Sequence, residues 1–286
     1  MKPFLILTAA LTILAIGCSG VTVNLPTMRE LELGPTQTYS IDEPLPAGSD
    51  PVALTLSMGA GSLDVRGGAQ NLVEGSVRCN VPSWKLVVDR SANQIDIRQE
   101  APEGYTTPTG SSVVNEWEVR LGAHPLDLHV NAGAYRGTLD LSGVPLRSLE
   151  VLDGASESQV VFSSPNPQRM EELVYRTGAS TVELRGLGYA RAKQITFVSG
   201  AGTYTLDFTG EASEPTTVSI RSGVSTVRLI VPANANARLS LGGGLREVSS
   251  SGAWIGSGNF YNVVGDGIEL ELNVDMGVGQ LILETR

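Results

Sequence analysis

The chain has 286 residues, 33 of them glycine and 5% aromatic, and a formal net charge of −10 at pH 7. That acidic balance excludes nucleic acid as an expected partner, because a polyanion is held by clustered Lys and Arg. Two cysteines, Cys18 and Cys79, exclude a disulfide framework, and abundant glycine with few aromatics suits a β-fold with many tight corners.

In chain order, MKPFLILTAALTILAIGCSG comes first. Lys2 gives a short positive start, and residues 4–16 form an apolar run too short to span a bilayer. The run ends in 14-LAIGC-18, which resembles the lipobox of bacterial lipoproteins. Gly17 precedes the cleavage point and Cys18 is the lipid-accepting residue; Ala15 stands where the consensus prefers Leu, and Leu14 lies one place earlier. Residues 1–17 therefore read as a lipoprotein signal peptide and residues 18–30 as the lipidated cysteine and its tether. The competing reading is an ordinary signal peptide with an incidental cysteine. With Cys18 acylated, Cys79 has no intrachain partner and reads as a small buried hydrophobe in 76-SVRCNV-81.

Residues 19–50 carry Pro, Gly and Ser with little periodicity, a tether and a lead-in. Strands are expected at 52–58, 71–79, 85–89, 94–99 and 113–121, where residues alternate or are β-branched. A Pro/Gly/Thr loop fills 101–112, and 168-QRMEEL-173 reads as one turn or a short helix. Beyond residue 121 the chain repeats. A corner glycine recurs at Gly59, Gly154, Gly178, Gly200, Gly223 and Gly277, with a looser copy at Gly133; from Gly133 the steps are 21, 24, 22, 23 and 54. The long step holds a further corner in 241-LGGGL-245 and an insertion around 249–262. Apart from the looser copy at Gly133, the residue after each glycine is Ala or Val and the next is Gly or Ser. Six places on stand Val65, Val160, Leu184, Leu206, Leu229 and Leu283, while the fifth column is mixed and mostly polar.

A strand alternates faces with period two, so the aliphatic column points inward and the mixed column outward. The corner demands glycine for a positive φ or for close backbone approach, and the two following positions read as crowded. The expected fold is all-β: a single-stranded β-solenoid of about 22-residue coils over residues 126–286, each coil buried by its neighbours. An amino-terminal β region, 31–125, caps one end, and the insertion near Trp254 partly caps the other. The alternative is a β-sandwich with glycine-rich turns. The last strand, 278-VGQLILET-285, is apolar on both faces and is either covered or a surface for self-association.

The stretches 33-LGPTQT-38, 54-LTLSMGAGSLDVRGGA-69 and 71-NLVEGSVRCNVPSW-84, with the later Gly-Ala-Ser/Gly coils, make the chain similar to the toast-rack family of bacterial envelope proteins. Residues 28–121 resemble that family's amino-terminal domain, and the later coils resemble adhesin-type β-solenoids of cell-wall stress response proteins. The resemblance implies a slatted β-fold on the outer side of a membrane. It brings no catalytic residues.

Candidate chemistry is sparse. His124 and His129 are five apart, which puts them on opposite faces of a regular strand; a metal site with Asp127 is weaker than a reading as surface or corner histidines. No nucleophile elbow, P-loop or dinucleotide fingerprint occurs, and Gly242 to Gly244 precede a strand-like segment, unsuited to phosphate. Glu171–Glu172 and Glu269–Glu271 are carboxylate pairs; the second shares a strand face, where solvated charge explains it better than a cation or glycosidic site. Trp84 and Trp117 read as core or cap residues. Trp254, in a Gly/Ser-rich loop with Phe260 and Tyr261, is the candidate exposed partner contact.

The sequence therefore points to a non-catalytic envelope lipoprotein, without cofactor or metal. It is held to a membrane through Cys18 and binds an envelope protein or glycan, in adhesion or envelope stress. The alternatives are a structural component that self-associates through its solenoid end and, more weakly, a glycan-acting enzyme. Acyl chains contribute about 0.8 kcal/mol per buried CH2. Labelling with a fatty-acid analogue is accordingly expected to tag the chain and to fail in Cys18→Ala; equal labelling of that variant would contradict the lipobox reading.

Overall fold

A strand of 15 to 17 residues, bent at a corner glycine, builds one rung of the molecule. The computed structural model describes residues 32–100, 112–211, 214–244 and 246–286; the expected signal peptide, Cys18 and most of the 101–112 loop lie outside them. The amino-terminal strands are β1 (Gln37–Glu43), β2 (Val52–Gly67), β3 (Val73–Cys79), β4 (Lys85–Ser91), β5 (Gln94–Glu100) and β6 (Asn115–Leu121). Long strands follow: β7 (Leu126–Asp140), β8 (Leu146–Val161), β9 (Met170–Arg185), β10 (Ala192–Asp207) and β11 (Thr216–Val231), with a one-turn helix α1 (Leu187–Ala190) between β9 and β10. The chain closes with β12 (Asn236–Gly243), β13 (Arg246–Ser250), β14 (Ile255–Ser257), β15 (Phe260–Val263) and β16 (Glu269–Thr285).

β2, β7, β8, β9, β10, β11 and β16 stack in parallel as successive rungs. Each has a first arm before the corner glycine and a second arm after it. Alternation places Leu54, Leu128, Leu149, Leu173, Ile195 and Val218 in one inward column of the first arms. The aliphatic column read from the sequence lines the second arms, each side chain at most 1% exposed. Return segments form a third, irregular side that contributes buried Leu141, Val144, Phe162, Leu187 and Phe208. Apolar burial is therefore continuous along the stack, since no rung has a core of its own.

The corner glycines settle which constraint selects them. Gly133, Gly154, Gly178, Gly200, Gly223, Gly277 and Gly244 form one column. A Cβ on any of them would lie 2.4–2.7 Å from the carbonyl oxygen of the glycine one rung before. None of the seven has positive φ, so close backbone approach is what excludes a side chain. The position after the glycine corrects the expectation of crowding: it faces solvent, with Val224 63% and Val278 54% exposed. Nothing in the structure requires alanine there. The next position is crowded as expected. Ser180 and Ser225 are buried, and Gly202 and Gly279 have φ of 147° and 143° with no room for a Cβ.

At the first end the rung is split. The first arm of β2 pairs with β5 and through it β4; the second arm pairs with β6, then β3 and β1. Asn115 fills the missing bend, donating to the Ala60 carbonyl at 2.7 Å and exchanging hydrogen bonds with Gln99. β2 thus serves the capping region and the stack together, pairing with β7 over both arms.

At the far end chain order and spatial order part. β16 inserts between β11 and the β12–β13 pair, so its first arm contacts β12 and its second β13. The last strand is therefore covered on both edges, and Ile282 lies between Arg228 and Ser249. The expected turn or helix at 168–173 is instead the lead into β9, where Met170, Glu172 and Leu173 pair with Ala192, Gln194 and Ile195. Ladder bonds to neighbouring rungs override local helix propensity. The short helix falls at 187–190 instead, bounded by Gly186 and Arg191 in left-handed backbone.

Asn166 holds the return side. Fully buried, it donates from Nδ2 to the carbonyls of Leu146 (2.8 Å) and Ala190 (3.3 Å) and accepts at Oδ1 from the Leu146 and Gln168 amides. Removing it orphans buried backbone groups on adjacent coils, so Asn166→Ala is expected to cost about 3 kcal/mol. Denaturant unfolding checks this; a loss below about 1 kcal/mol would contradict it.

Candidate functional site at the far end of the stack

The insertion after β13 folds back over the last rungs and separates the three aromatic residues marked by the sequence. Trp254 is only 7% exposed, and its indole Nε1 donates to the Glu284 carbonyl at 3.2 Å. The loop before it is tied to the end of β16 by Ser251 N to Leu283 O (2.9 Å) and Ala253 N to Thr285 Oγ1 (3.0 Å). The expectation of an exposed Trp254 is therefore corrected: the ring plugs the end of the core, where its single donor finds a carbonyl. β15 alternates, so Phe260 points out at 62% exposure while Tyr261 is half-buried against the core and packs over Gly256. Ile255 on β14 and Val264 after β15 are also exposed.

Phe260 borders a groove of about 490 Å³ on the outer face of the first arms. Arg238 and Ser240 of β12, Asn262 of β15, and Glu271 and Asn273 of β16 line it. Register places Arg238 beside both Asn262 and Glu271. Ser240 Oγ donates to Asn273 Oδ1 at 2.7 Å, and Asn236 Nδ2 reaches Glu269 Oε1 at 3.5 Å. Glu269 and Glu271 do share the outer face of β16 and are exposed. Together these side chains offer an aromatic surface beside amide, guanidinium and carboxylate groups, a set able to hydrogen-bond a polar ligand while one face of it rests on a ring.

The other sequence-marked residues lie elsewhere. His124 is 7% exposed in a corner, with Nε2 2.9 Å from the Asp50 carbonyl. His129 sits on the outer face of β7, with Nδ1 3.2 Å from Glu150 Oε2. Burial pushes the Asp127 carboxyl up, but hydrogen bonds from Arg147 and Ser148 outweigh it and hold the group below its ordinary range. Among the described residues no cluster of three His, Cys, Asp or Glu is placed to hold a metal ion. Glu171 pairs with Lys193. Gly242 to Gly244 form the bend between β12 and β13, where Gly243, at φ 88°, gives way to Asp275 and the Met276 carbonyl. Cys79 is 2% exposed at the end of β3, and burial pushes its thiol up. Trp84 and Trp117 are buried, at 7% and 1%.

A hydroxyl network inside the corner was not read from the sequence. Tyr175 OH donates to Asp153 Oδ2 at 2.7 Å and lies 2.7 Å from Ser158 Oγ and 3.3 Å from Tyr135 OH; Thr177 donates to the other Asp153 oxygen. Burial drives the Tyr175 phenol far above its ordinary range, so the ring stays neutral and acts as a donor. The available signal was the column just before the corner glycine, where Asp153, Thr177, Ser199 and Ser222 stand in an inward position.

Comparison with known proteins adds a family. The sequence model of the N-terminal domain of toast_rack matches residues 32–175, from ahead of β1 into the first arm of β9. No curated protein matches the chain. Among solved structures, a candidate cell adhesion protein from Clostridium sporogenes is 18% identical, with 88% of this chain and 99% of that one covered at a TM-score of 0.49. A candidate lipid binding protein from Parabacteroides distasonis is 12% identical, with 88% and 99% covered and a TM-score of 0.41. A candidate adhesin from Bacteroides fragilis is 8% identical, with 89% and 99% covered and a TM-score of 0.36.

The covered position of Trp254 has a direct optical consequence. All three tryptophans are buried, so emission is expected to be blue-shifted and none of it accessible to iodide. A quenchable component assigned to Trp254 by its absence in Trp254→Phe would return that ring to the surface.

Proposed function

This chain belongs to the family built on the toast-rack amino-terminal domain, and we propose that it is a non-catalytic binding module of the bacterial cell envelope, contacting a glycan through the Phe260 groove. The observation that carries the reading is the exposed Phe260 ring beside Arg238, Asn262, Glu271 and Asn273. A pyranose presents C–H groups on its face and hydroxyls on its edge. The ring suits the first, and planar amide, guanidinium and carboxylate groups suit the second. The groove rests on strands paired from both sides, so its geometry is set before any ligand arrives, which limits the ordering cost of binding. The module works outside the cytoplasm, attached to a membrane by a lipid on Cys18. No described helix is long and apolar enough to cross a bilayer.

Self-assembly remains as a second reading because, among the described residues, β13 pairs only with β16 and β14 only with β15, which leaves their outer edges without a described strand. With β16 covered, these edges replace the strand 278–285 as the place where copies would meet.

The test is retention of envelope glycan by the full chain immobilised in detergent. Phe260→Ala is expected to weaken it by about tenfold or more, as loss of a central aromatic contact does, with the unfolding midpoint unchanged. Retention unaffected by Phe260→Ala would overturn the assigned groove. Capture of a protein alone would overturn the glycan, and recovery of only the chain itself would favour assembly.

A further inference from the structure

Charged residues on neighbouring strands mostly meet with opposite sign. Arg136 lies opposite Glu157, Arg78 opposite Glu116, Arg120 opposite Glu74, Arg221 opposite Asp275 and Arg238 opposite Glu271. Where two acids meet elsewhere, a donor ties them: Asp89 and Asp96 on β4 and β5 share Arg98, and Asp42 and Glu74 on β1 and β3 share Asn71, with Arg120 also on Glu74. The second arm of β2 against β6 breaks this rule twice in succession: Asp64 lies opposite Glu118, and Arg66 opposite Arg120. Like charges directly opposite each other destabilise a strand pair, and a local rule broken without compensation marks a functional surface.

Compensation is incomplete here. Arg120 is held by Glu74 at 2.9 Å; the Asn71 amide, more than any other group, holds the Glu74 carboxyl below its ordinary range against the cost of burial, with the Gln70 amide and Arg120 acting in the same direction. Arg66 has no ion pair among the described residues, and its other cross-strand neighbour, Asp140, accepts instead from the amide and hydroxyl of Ser142. Glu118 has no ion pair among the described residues either, and Asp64 accepts from the Thr138 amide at 3.1 Å. All four side chains are exposed and, together with Asp42, Glu74 and Asp140, which are already engaged by Asn71, Arg120 and Ser142, line a groove of about 900 Å³ running across β1, β3, β6, β2 and β7, a size that takes a small organic ligand.

The two like-charge pairs define a charge pattern that a ligand could match. Two guanidiniums on strands about 4.8 Å apart form a seat for one anionic head, and two carboxylates form a seat for one ammonium. Within each strand the two seats are two residues apart, about 6.6 Å, on the same face. We propose that this groove binds a zwitterion carrying a carboxylate or phosphate and an ammonium group about 6–7 Å apart. Arg66 and Arg120 take the anion; Asp64 and Glu118 take the cation. Binding relieves both like-charge repulsions at once, whereas a ligand with one charge relieves only one of them. The site lies at the opposite end of the stack from Phe260 and does not depend on the glycan reading.

The probe is 5-aminopentanoate, titrated by saturation-transfer NMR against the full chain, with pentanoate and pentylammonium as single-charge controls. The zwitterion is expected to bind at least about tenfold more tightly than either control, with Arg66→Gln and Glu118→Gln each removing most of that advantage. Both positions are exposed, and an unchanged circular dichroism spectrum confirms that the variants fold. Equal binding of a singly charged control, the same affinity in Arg66→Gln, or no binding of 5-aminopentanoate would each overturn the proposal.

Discussion

A carbonyl oxygen seated where a side chain would begin is the contact on which the molecule depends. At the corner of each rung after the first, the backbone passes so close to the rung before it that a Cβ would lie 2.4–2.7 Å from a carbonyl oxygen. Both arms of every rung are aligned by that approach. Their inward columns superpose, and the leucines and valines of one rung bury those of the next. The corner is further held from inside by the Asp153–Tyr175–Ser158 network, in which the buried Tyr175 and Ser158 hydroxyls find partners in one another and in the half-buried Asp153.

A stack built this way has two ends, and the chain treats them differently. At the first, one rung forks into two small antiparallel-edged sheets, and the fork is where like charges face each other across β2 and β6. At the other, the final strand threads back between β11 and β12, and an aromatic plug closes the core. Exposed apolar and charged groups that do not serve the core are gathered at these ends. The middle of the stack carries mostly paired charges such as Arg136–Glu157 and Arg176–Glu150. The two binding surfaces proposed for this chain lie at these ends.

The repeat was legible because its physics is local and periodic. The glycines from Gly59 to Gly277 share the same flanking columns, and period-two alternation places the inward column where the structure has it. What was not legible depends on contacts distant in sequence. The burial of Trp254 rests on a carbonyl thirty residues away, and a Gly/Ser-rich loop gives no hint of it. The place of β16 inside the stack is hidden because Gly244 follows Gly223 in the chain but lies beyond Gly277 in space. The 168–173 segment reads as a turn or helix locally and becomes the lead into a strand only when rungs on both sides supply its ladder. Alanine after the corner glycine suggested crowding, yet that column faces solvent. The like-charge pairs on β2 and β6 were invisible until register was known.

The most direct test of the account is an alanine scan of the glycine column, read as unfolding free energy. Each glycine's missing Cβ points toward the rung before it, and Gly59, on the first rung, has nothing within 4 Å. Gly59→Ala is therefore expected to be neutral. Gly133→Ala, Gly154→Ala, Gly178→Ala, Gly200→Ala, Gly223→Ala and Gly277→Ala are each expected to cost about 3 kcal/mol or more, the range of enforced backbone strain. A uniform small cost at all seven positions, Gly59 included, would mean that close backbone stacking does not hold the fold.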